Sequence, residues 1–314
     1  MSPLGEDRPF VSVVIPMFQA ASWISETLAT VSDQTYPHFE IIVVDDGSTD
    51  RGAEIVAEFA AGTEKPVQLL QTTNSGVAAA RNIGIEKSTG TFIALLDADD
   101  LWQPRKLELQ VASLEYSGAP MCTCGFEFFD DRTGRRTGVV RVRDGSAALR
   151  GWMSLEGNGL ALASAALISR PALDELRLFD PDFSVSADLD FALRIAGVGH
   201  IDSLPQVLVR YRLHAQQMHR QIGELASDVH LLYDRVFAGG ENPSFERRCR
   251  ANLSAHIGYL YLQRGQVKFA IPNLWRSIRH DPRRVFTLPV RALFRRLGRR
   301  TRLWRFGRSS GRTS

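Results

Sequence analysis

The sequence predicts an α/β fold: a mostly parallel sheet flanked by helices, followed by a C-terminal helical appendage. Two observations predict it. Through the first third of the chain, short β-branched runs alternate with stretches of helical spacing, the pattern of strands joined by crossover helices. Two of those runs end directly in acidic clusters, at 45–46 and 97–100, and strand ends are where open parallel sheets bind ligands. Length supplies the appendage. The 314 residues exceed the roughly 250–300 at which a single core stops growing.

The elements follow in order. Residues 11–16 (VSVVIP) form an apolar run suited to a strand covered on both faces. Ser22 is expected to cap a helix reaching residue 33, with Ile24, Leu28 and Val31 on one side. Residues 41–44 make the second strand, and Asp50 is expected to cap the helix after it, to residue 59. Residues 67–70 read as a strand, 76–87 as a helix and 92–96 as a fourth strand, with Pro104 opening a further helix. The stretch 121–142 is β-like around a turn at 130–134, and 186–196 returns to helical spacing. From about 221 to 280 the chain reads as helices. There Gly258, Tyr261, Ala270, Leu274, Ser277 and Pro282 have the spacing of one tetratricopeptide-like hairpin, which needs a neighbour to cover its apolar face.

Composition excludes several classes. Apolar residues at 44% and charged residues at 23% are those of a folded globular protein, not of a disordered or collagen-like chain. Three cysteines, 122, 124 and 249, are too few to staple this length, and the 122/124 spacing fits no common zinc motif. No run reaches the ~20 apolar residues of a membrane-spanning helix, and residues 1–10 lack the apolar region of a signal peptide. A cytoplasmic location is therefore expected, with peripheral placement on the inner face of the plasma membrane. The tail suggests that placement. Residues 281–314 hold eleven arginines against one acid, Asp281, with apolar and aromatic residues interleaved. A basic amphipathic segment of this kind suits an anionic membrane surface. RNA binding or a solvated tail are the competing readings of that pattern; the membrane is the expected partner, and a nucleic acid is not.

The acids carry the chemistry. Asp97 and Asp99 alternate beside Asp100, and hard oxygen donors at a strand end suit Mg2+ or Mn2+. For an isolated D-x-D, a solvated acidic turn would be the preferred reading. Asp45 and Asp46 precede Gly47, a pattern of turn formers, and equally of carboxylates that bind a base or ribose. A dinucleotide-binding domain also has an acid there, but needs a glycine-rich turn after its first strand, and residues 16–22 (PMFQAAS) contain no glycine. No Walker lysine loop is present either.

Five segments in order resemble family 2 glycosyltransferases of the GT-A type, a Rossmann-like fold: VSVVIPMF at 11–18, DDGSTD at 45–50, NSGVAAARNIGI at 74–85, LLDADD at 95–100, and ADLDFALR at 187–194 followed by YRLH at 211–214. The resemblance spans about residues 10–215. It implies a nucleotide-sugar pocket of Pro16, Phe18, Asp46, Arg81 and Asp97, a Mn2+ or Mg2+ site of Asp99, Asp97 and His214, and Asp188 as general base. The family usually has Glu-Asp where this chain has Ala187-Asp188, and Asp190 is the rival base. Residues two apart do not share a helix face, so only one of the two acids can enter the crevice; Asp188 keeps the family frame.

The resemblance implies an inverting hexosyltransferase. Its donor would be a UDP-, GDP- or dTDP-linked sugar, and its acceptor a glycan or a lipid-linked hydroxyl. Processive relatives carry Q-x-x-R-W; here Gln217 and Arg220 are followed by Gln221, so one sugar per encounter is expected. A nucleotidyltransferase, which lacks its phosphate loop here, and a non-catalytic scaffold are the rival functions. The expected domains are 1–218 (catalytic), 219–282 (helical appendage) and 283–314 (basic amphipathic tail).

Overall fold

The computed structural model describes residues 8–156, 162–184, 186–214, 222–240 and 242–283. The first half runs β1 (Val11–Met17), α1 (Ile24–Ser32), β2 (Phe39–Asp45), α2 (Gly52–Gly62), β3 (Val67–Gln71), α3 (Val77–Lys87) and β4 (Phe92–Leu95). All seven residues of β1 are buried, because the apolar run is covered by helices on both faces. The four strands are parallel in the order β3-β2-β1-β4, so their carboxyl ends form one rim.

The second half is mixed. It runs β5 (Leu101–Trp102), α4 (Lys106–Ser117), β6 (Met121–Asp130), β7 (Arg136–Val140), α5 (Gly145–Met153), α6 (Leu162–Ala165), β8 (Leu167–Ser169), α7 (Arg170–Glu175), α8 (Ala187–Val198) and β9 (Ile201–Leu213). β8 pairs antiparallel with both β4 and β6, while β6 pairs parallel with β9. One sheet thus continues past β4 to β9 and β5, and β9 brings residues 211–214 alongside the acidic loop after β4.

Two expected caps are corrected. Ser22 does not cap α1: the helix begins at Ile24 and no side chain caps it. Nor does Asp50 occupy the cap position of α2, which is Arg51. Instead Asp50 accepts from Ala21 N–H at 2.8 Å and from Gly52 N–H at 3.0 Å. A carboxylate with two acceptor oxygens can serve orphan donors of two segments at once, and here it ties the loop after β1 to the start of α2.

Close packing of α3 on the sheet depends on a glycine. A Cβ at Gly84 would lie 2.4 Å from Val14 Cγ1 and 3.2 Å from Val44 Cγ2, and both valines are fully buried. Gly84→Ala gains about 1 kcal/mol of helix propensity but overpacks at a cost of about 1–3 kcal/mol. The expected result is a lower urea midpoint with unchanged slope; an unchanged or higher midpoint would mean that β1 yields.

After β9 come α9 (Ile222–Val236), α10 (Pro243–Gln263) and α11 (Val267–His280). α10 and α11 form a hairpin in which Gly258 admits Leu274, whose Cγ would be 2.8 Å from a Cβ there, and Ser277 Oγ donates to Ala251 O at 2.7 Å. The helices are docked on the C-terminal end of α5: Tyr233 Oη donates to Met153 O, and Asn252 Nδ2 to Ser154 O. The tail at 284–314 and the Q-x-x-R-Q segment at 217–221 lie outside the described residues. Among the described residues no helix is long and apolar enough to cross a membrane.

Candidate active site

The loop that follows β4 places three carboxylates together: Asp97, Asp99 and Asp100 offer oxygens within 4.8 Å of one another. Their surroundings separate them into different roles. Asp100 is buried and saturated, accepting from Ser164 Oγ at 2.6 Å and from the Arg212 backbone N–H at 2.9 Å. Burial, with the charges of Asp99 and Asp97, pushes its carboxyl well above the usual range. Asp100 therefore anchors the loop. Arg212 completes the anchor, donating through Nε to Asp99 O at 2.7 Å and through its other nitrogens to Asp131 and Glu26.

Asp99 and Asp97 face the crevice. Asp99 Oδ2 shares a 2.7 Å hydrogen bond with His214 Nε2, whose ring lies 4.0 Å from that of Trp23, centroid to centroid. Asp97 Oδ1 accepts from Arg81 Nη2 at 2.9 Å, and a quarter of its side chain (26%) stays accessible. Burial lifts its carboxyl to about 6; Arg81 opposes the rise, and Asp99 and Asp188 add to it. The three carboxylates of the loop are hard oxygen donors of the kind that suit a divalent cation, and His214, at the end of β9, reaches one of them, Asp99.

Arg81 is the junction of the site. Its Nη1 donates to Asp188 Oδ1 at 2.7 Å while Nη2 holds Asp97. Its guanidinium stands 5.3 Å from the Phe179 ring centroid. Burial works against its charge, but Asp188 and Asp97 outweigh burial and hold the group above its ordinary value. Of the residues expected to form the nucleotide-sugar pocket with it, Arg81 touches Asp97. Helix α3 enters the crevice at its second turn, so Arg81 reaches the D-x-D loop and α8, not the end of β2.

Asp188 and Asp190 diverge on the first turn of α8. Asp188 meets Arg81, whereas Asp190 pairs with Arg194 at 2.8 Å, and Arg194 also donates to Arg177 O and Leu178 O. The two acids face different neighbours, as their spacing requires. Ala187, where the family has glutamate, is fully buried in the core, so no carboxylate enters there. The Tyr211 phenol is pushed well above its usual value by burial and by the charges of Asp100, Asp97, Asp99 and Asp188.

At the ends of β1 and β2, Asp46 accepts from Ser75 N–H and Gly76 N–H, both at 2.8 Å. Its carboxylate thereby fixes the N-terminus of α3. Asp45 accepts from Ser48 N–H at 3.0 Å and closes the turn at Gly47, whose φ is +77°. Pro16 lies inside β1, buried, in register with Val44. It is tolerated because pairing with β4 ends at Val14. Phe18 is half-exposed (51%) at the strand end. Thus Phe18 and Asp46 stand at the rim of β1 and β2, while Asp97, Asp99, His214, Arg81 and Asp188 form a second, connected group.

Sequence reasoning missed four positioning residues. Ser164 was visible only as a hydroxyl interrupting an apolar run, and Arg212 only as a member of YRLH. Asp228 and Arg235, on α9, gave no signal. Asp228 Oδ2 accepts from Ser184 N–H, Ser184 Oγ and Ser186 N–H at 2.8, 3.2 and 3.1 Å. Arg235 binds Asp180 and Asp182. Together they hold the approach to α8, two residues before Asp188. Asp228→Ala is expected to lower kcat about tenfold at unchanged donor KM, with Asp228→Asn restoring most of it through its amide oxygen. Equal loss in both variants, or a change confined to KM, would remove Asp228 from this role.

The mostly parallel sheet flanked by helices, with acidic loops at its strand ends, is of the GT-A class of α/β fold, which solved structures share. The chain superposes on the mannosyltransferase PcManGT of Pyrobaculum calidifontis, solved with GDP-Man and Mn2+, with a TM-score of 0.60 at 24% identity over 93% of this chain and 80% of that one. It matches residues 1–349 of S. aureus TarS, solved with UDP-GlcNAc, with a TM-score of 0.59 at 17% identity over 88% and 92%. The sequence profile of glycosyl transferase family 2 matches residues 12–177, and the chain belongs to that family. TuaG of Bacillus subtilis (strain 168), a glycosyltransferase named for teichuronic acid biosynthesis, is 39% identical over 119 residues. That stretch is 38% of this chain and spans only 46% of TuaG. The glycosyltransferase AglE of Haloferax volcanii is 38% identical over 122 residues, 38% of this chain and 40% of AglE.

Proposed function

We propose that this chain is an inverting, divalent-cation-dependent glycosyltransferase that moves one sugar from a nucleotide-sugar donor to an acceptor hydroxyl in cell-surface polysaccharide or glycolipid assembly. One observation carries the reading: Arg81 joins Asp97 of the acidic loop to Asp188, 107 residues apart from Arg81 in sequence. A carboxylate for the acceptor and a carboxylate cluster for the donor are thereby held in one crevice. The complexes of PcManGT and TarS with GDP-Man and UDP-GlcNAc support a nucleotide-linked donor, and the name of TuaG supports a surface polymer.

In this reading Phe18 and Asp46 border the nucleoside, and Asp97, Asp99 and His214 hold the cation. A divalent cation bound there supplies charge neutralisation for the departing diphosphate. Arg81 fixes Asp188 through Oδ1 and leaves Oδ2 to take the acceptor proton. Asp188 then acts as general base while the hydroxyl attacks from the face opposite the leaving group, and a single displacement inverts the anomeric carbon. No glycosyl-enzyme forms, unlike in retaining hydrolases. Gln221, where processive relatives have tryptophan, supports transfer of one sugar per encounter. The basic tail at 283–314 supports an acceptor met at the cytoplasmic face of the membrane.

The test is thermal shift against a panel of UDP-, GDP- and dTDP-linked sugars with Mn2+ or Mg2+, since a ligand bound only by the native state raises the midpoint. A cation-dependent rise with one nucleotide class, followed by donor turnover, supports the reading. No rise with any donor refutes it.

A further inference from the structure

Among the described residues, the α10–α11 hairpin uses one side of α11. Ala270 and Ser277 are buried, and Leu274 packs at Gly258. On the outer side Val267, Ile271 and Trp275 recur every four residues and are 51, 51 and 63% exposed, forming one stripe. Phe269 flanks it. Scattered exposed apolar side chains are ordinary, but a contiguous group marks a contact surface.

Charge says what contacts it. The basic character assigned to the tail begins earlier in the chain: residues 247–280 hold seven Arg and Lys and no Asp or Glu. Arg248 and Arg250 are consumed by Glu156, Asp234 and Glu246. Lys268, Arg276 and Arg279 instead border the stripe. Burial, with the charges of Arg250, Arg276 and Arg279, holds the His280 imidazole below its usual value. A second copy of this face would bring like charges together, which disfavours self-association. An anionic lipid surface accepts the cations, and an interfacial tryptophan suits the boundary between headgroups and acyl chains.

We propose that the outer face of α11 is a lipid-contact surface that docks on an anionic bilayer, with Ile271 and Trp275 inserted at the headgroup–acyl boundary and Lys268, Arg276 and Arg279 on the headgroups. The proposal rests on the reading that the acceptor lies at a membrane, but on residues distinct from the tail. Its consequence is orientation. The hairpin packs against α9, and α9 holds Asp180, Asp182, Ser184 and Ser186 on the approach to Asp188. A docked hairpin therefore ties the base-bearing side of the crevice to the surface on which lipid-linked acceptors sit.

Vesicle flotation of the full-length protein tests this, using phosphatidylcholine with and without phosphatidylglycerol. Three proteins are compared: wild type, Ile271→Glu/Trp275→Glu, and a tail variant with Arg295, Arg296, Arg299 and Arg300 changed to Gln. The wild type is expected to bind only the anionic vesicles. The α11 variant is expected to lose about tenfold or more of that binding at unchanged thermal midpoint and donor hydrolysis. Binding by the α11 variant at the wild-type level overturns the proposal, and if the tail variant alone fails, the tail reading stands by itself. Loss in the α11 variant with a tail variant that still binds supports this face and removes the tail. Wild type that ignores vesicles but dimerises through Trp275 in sedimentation makes the face a self-interface and overturns the proposal.

Discussion

Asp188→Asn is expected to lower kcat by about 10²–10⁴-fold, the range supplied by a positioned general base, while donor affinity stays near wild type. The amide oxygen of asparagine still accepts from Arg81 Nη1, so the 2.7 Å contact and the bridge to Asp97 persist. What is lost is a basic oxygen. The measurement is single-turnover transfer with saturating donor and acceptor, together with donor binding and the thermal midpoint. A fall in kcat with binding and midpoint intact assigns the proton transfer to Asp188. A kcat within about threefold of wild type would move the base elsewhere. Asp190 is the poorer choice, because Arg194 holds it on another side of α8. Asp190→Asn is the paired control, and its expected effect is on packing around Arg177 and Leu178.

Asp99→Ala is expected to reduce transfer by about 10²–10³-fold, the scale of removing one electrostatic stabiliser of a developing charge. The loss should not be recovered by raising Mn2+ or Mg2+, and chelation of the wild type should reproduce it. His214 loses its 2.7 Å partner but keeps its stacking on Trp23, so the fold survives. The same site predicts a pH dependence. Burial lifts the Asp97 carboxyl to about 6, so below that pH the group carries a proton that a cation must displace. Cation affinity is therefore expected to rise as pH increases through 6 and to level above it. Calorimetric Mn2+ titrations on either side of pH 6 measure this. Affinity independent of pH across that range would take Asp97 out of the ligand set, and tight binding by Asp99→Ala would take Asp99 out.

Part of the site was legible in the sequence because its signals are local. An apolar run reads as a buried strand, and Asp-Gly after it reads as a turn, whichever other segments surround them. Asp45, Asp46, Asp97, Asp99 and Asp100 were therefore assigned to strand ends. Their division of labour was not legible. Asp100 differs from Asp99 only through Ser164 and Arg212, which are 64 and 112 residues from it in sequence. Arg81 was expected to steady the nucleotide-sugar pocket because its segment, 74–85, lies between the two acidic clusters in family order. The rotation of α3 aims it at Asp97, a member of that pocket, and at Asp188, a partner that sequence spacing does not show. The caps failed for a similar reason: Asp50 meets Ala21, 29 residues away, and that contact outweighs the local capping preference.

By itself, then, the sequence determined the alternation of strands and helices, the acidic strand ends, and a basic C-terminal region. These depend on periodicity and turn chemistry within a few residues. Only the tertiary structure decided which carboxylate anchors the loop and which face the crevice, how Arg81 couples Asp97 to Asp188, that α9 holds the approach to Asp188, and that α11 leaves an apolar, cation-bordered stripe exposed among the described residues. Each of these depends on segments far apart in the chain packing into contact, and a side chain's partner and exposure are set by that packing, not by its neighbours in sequence.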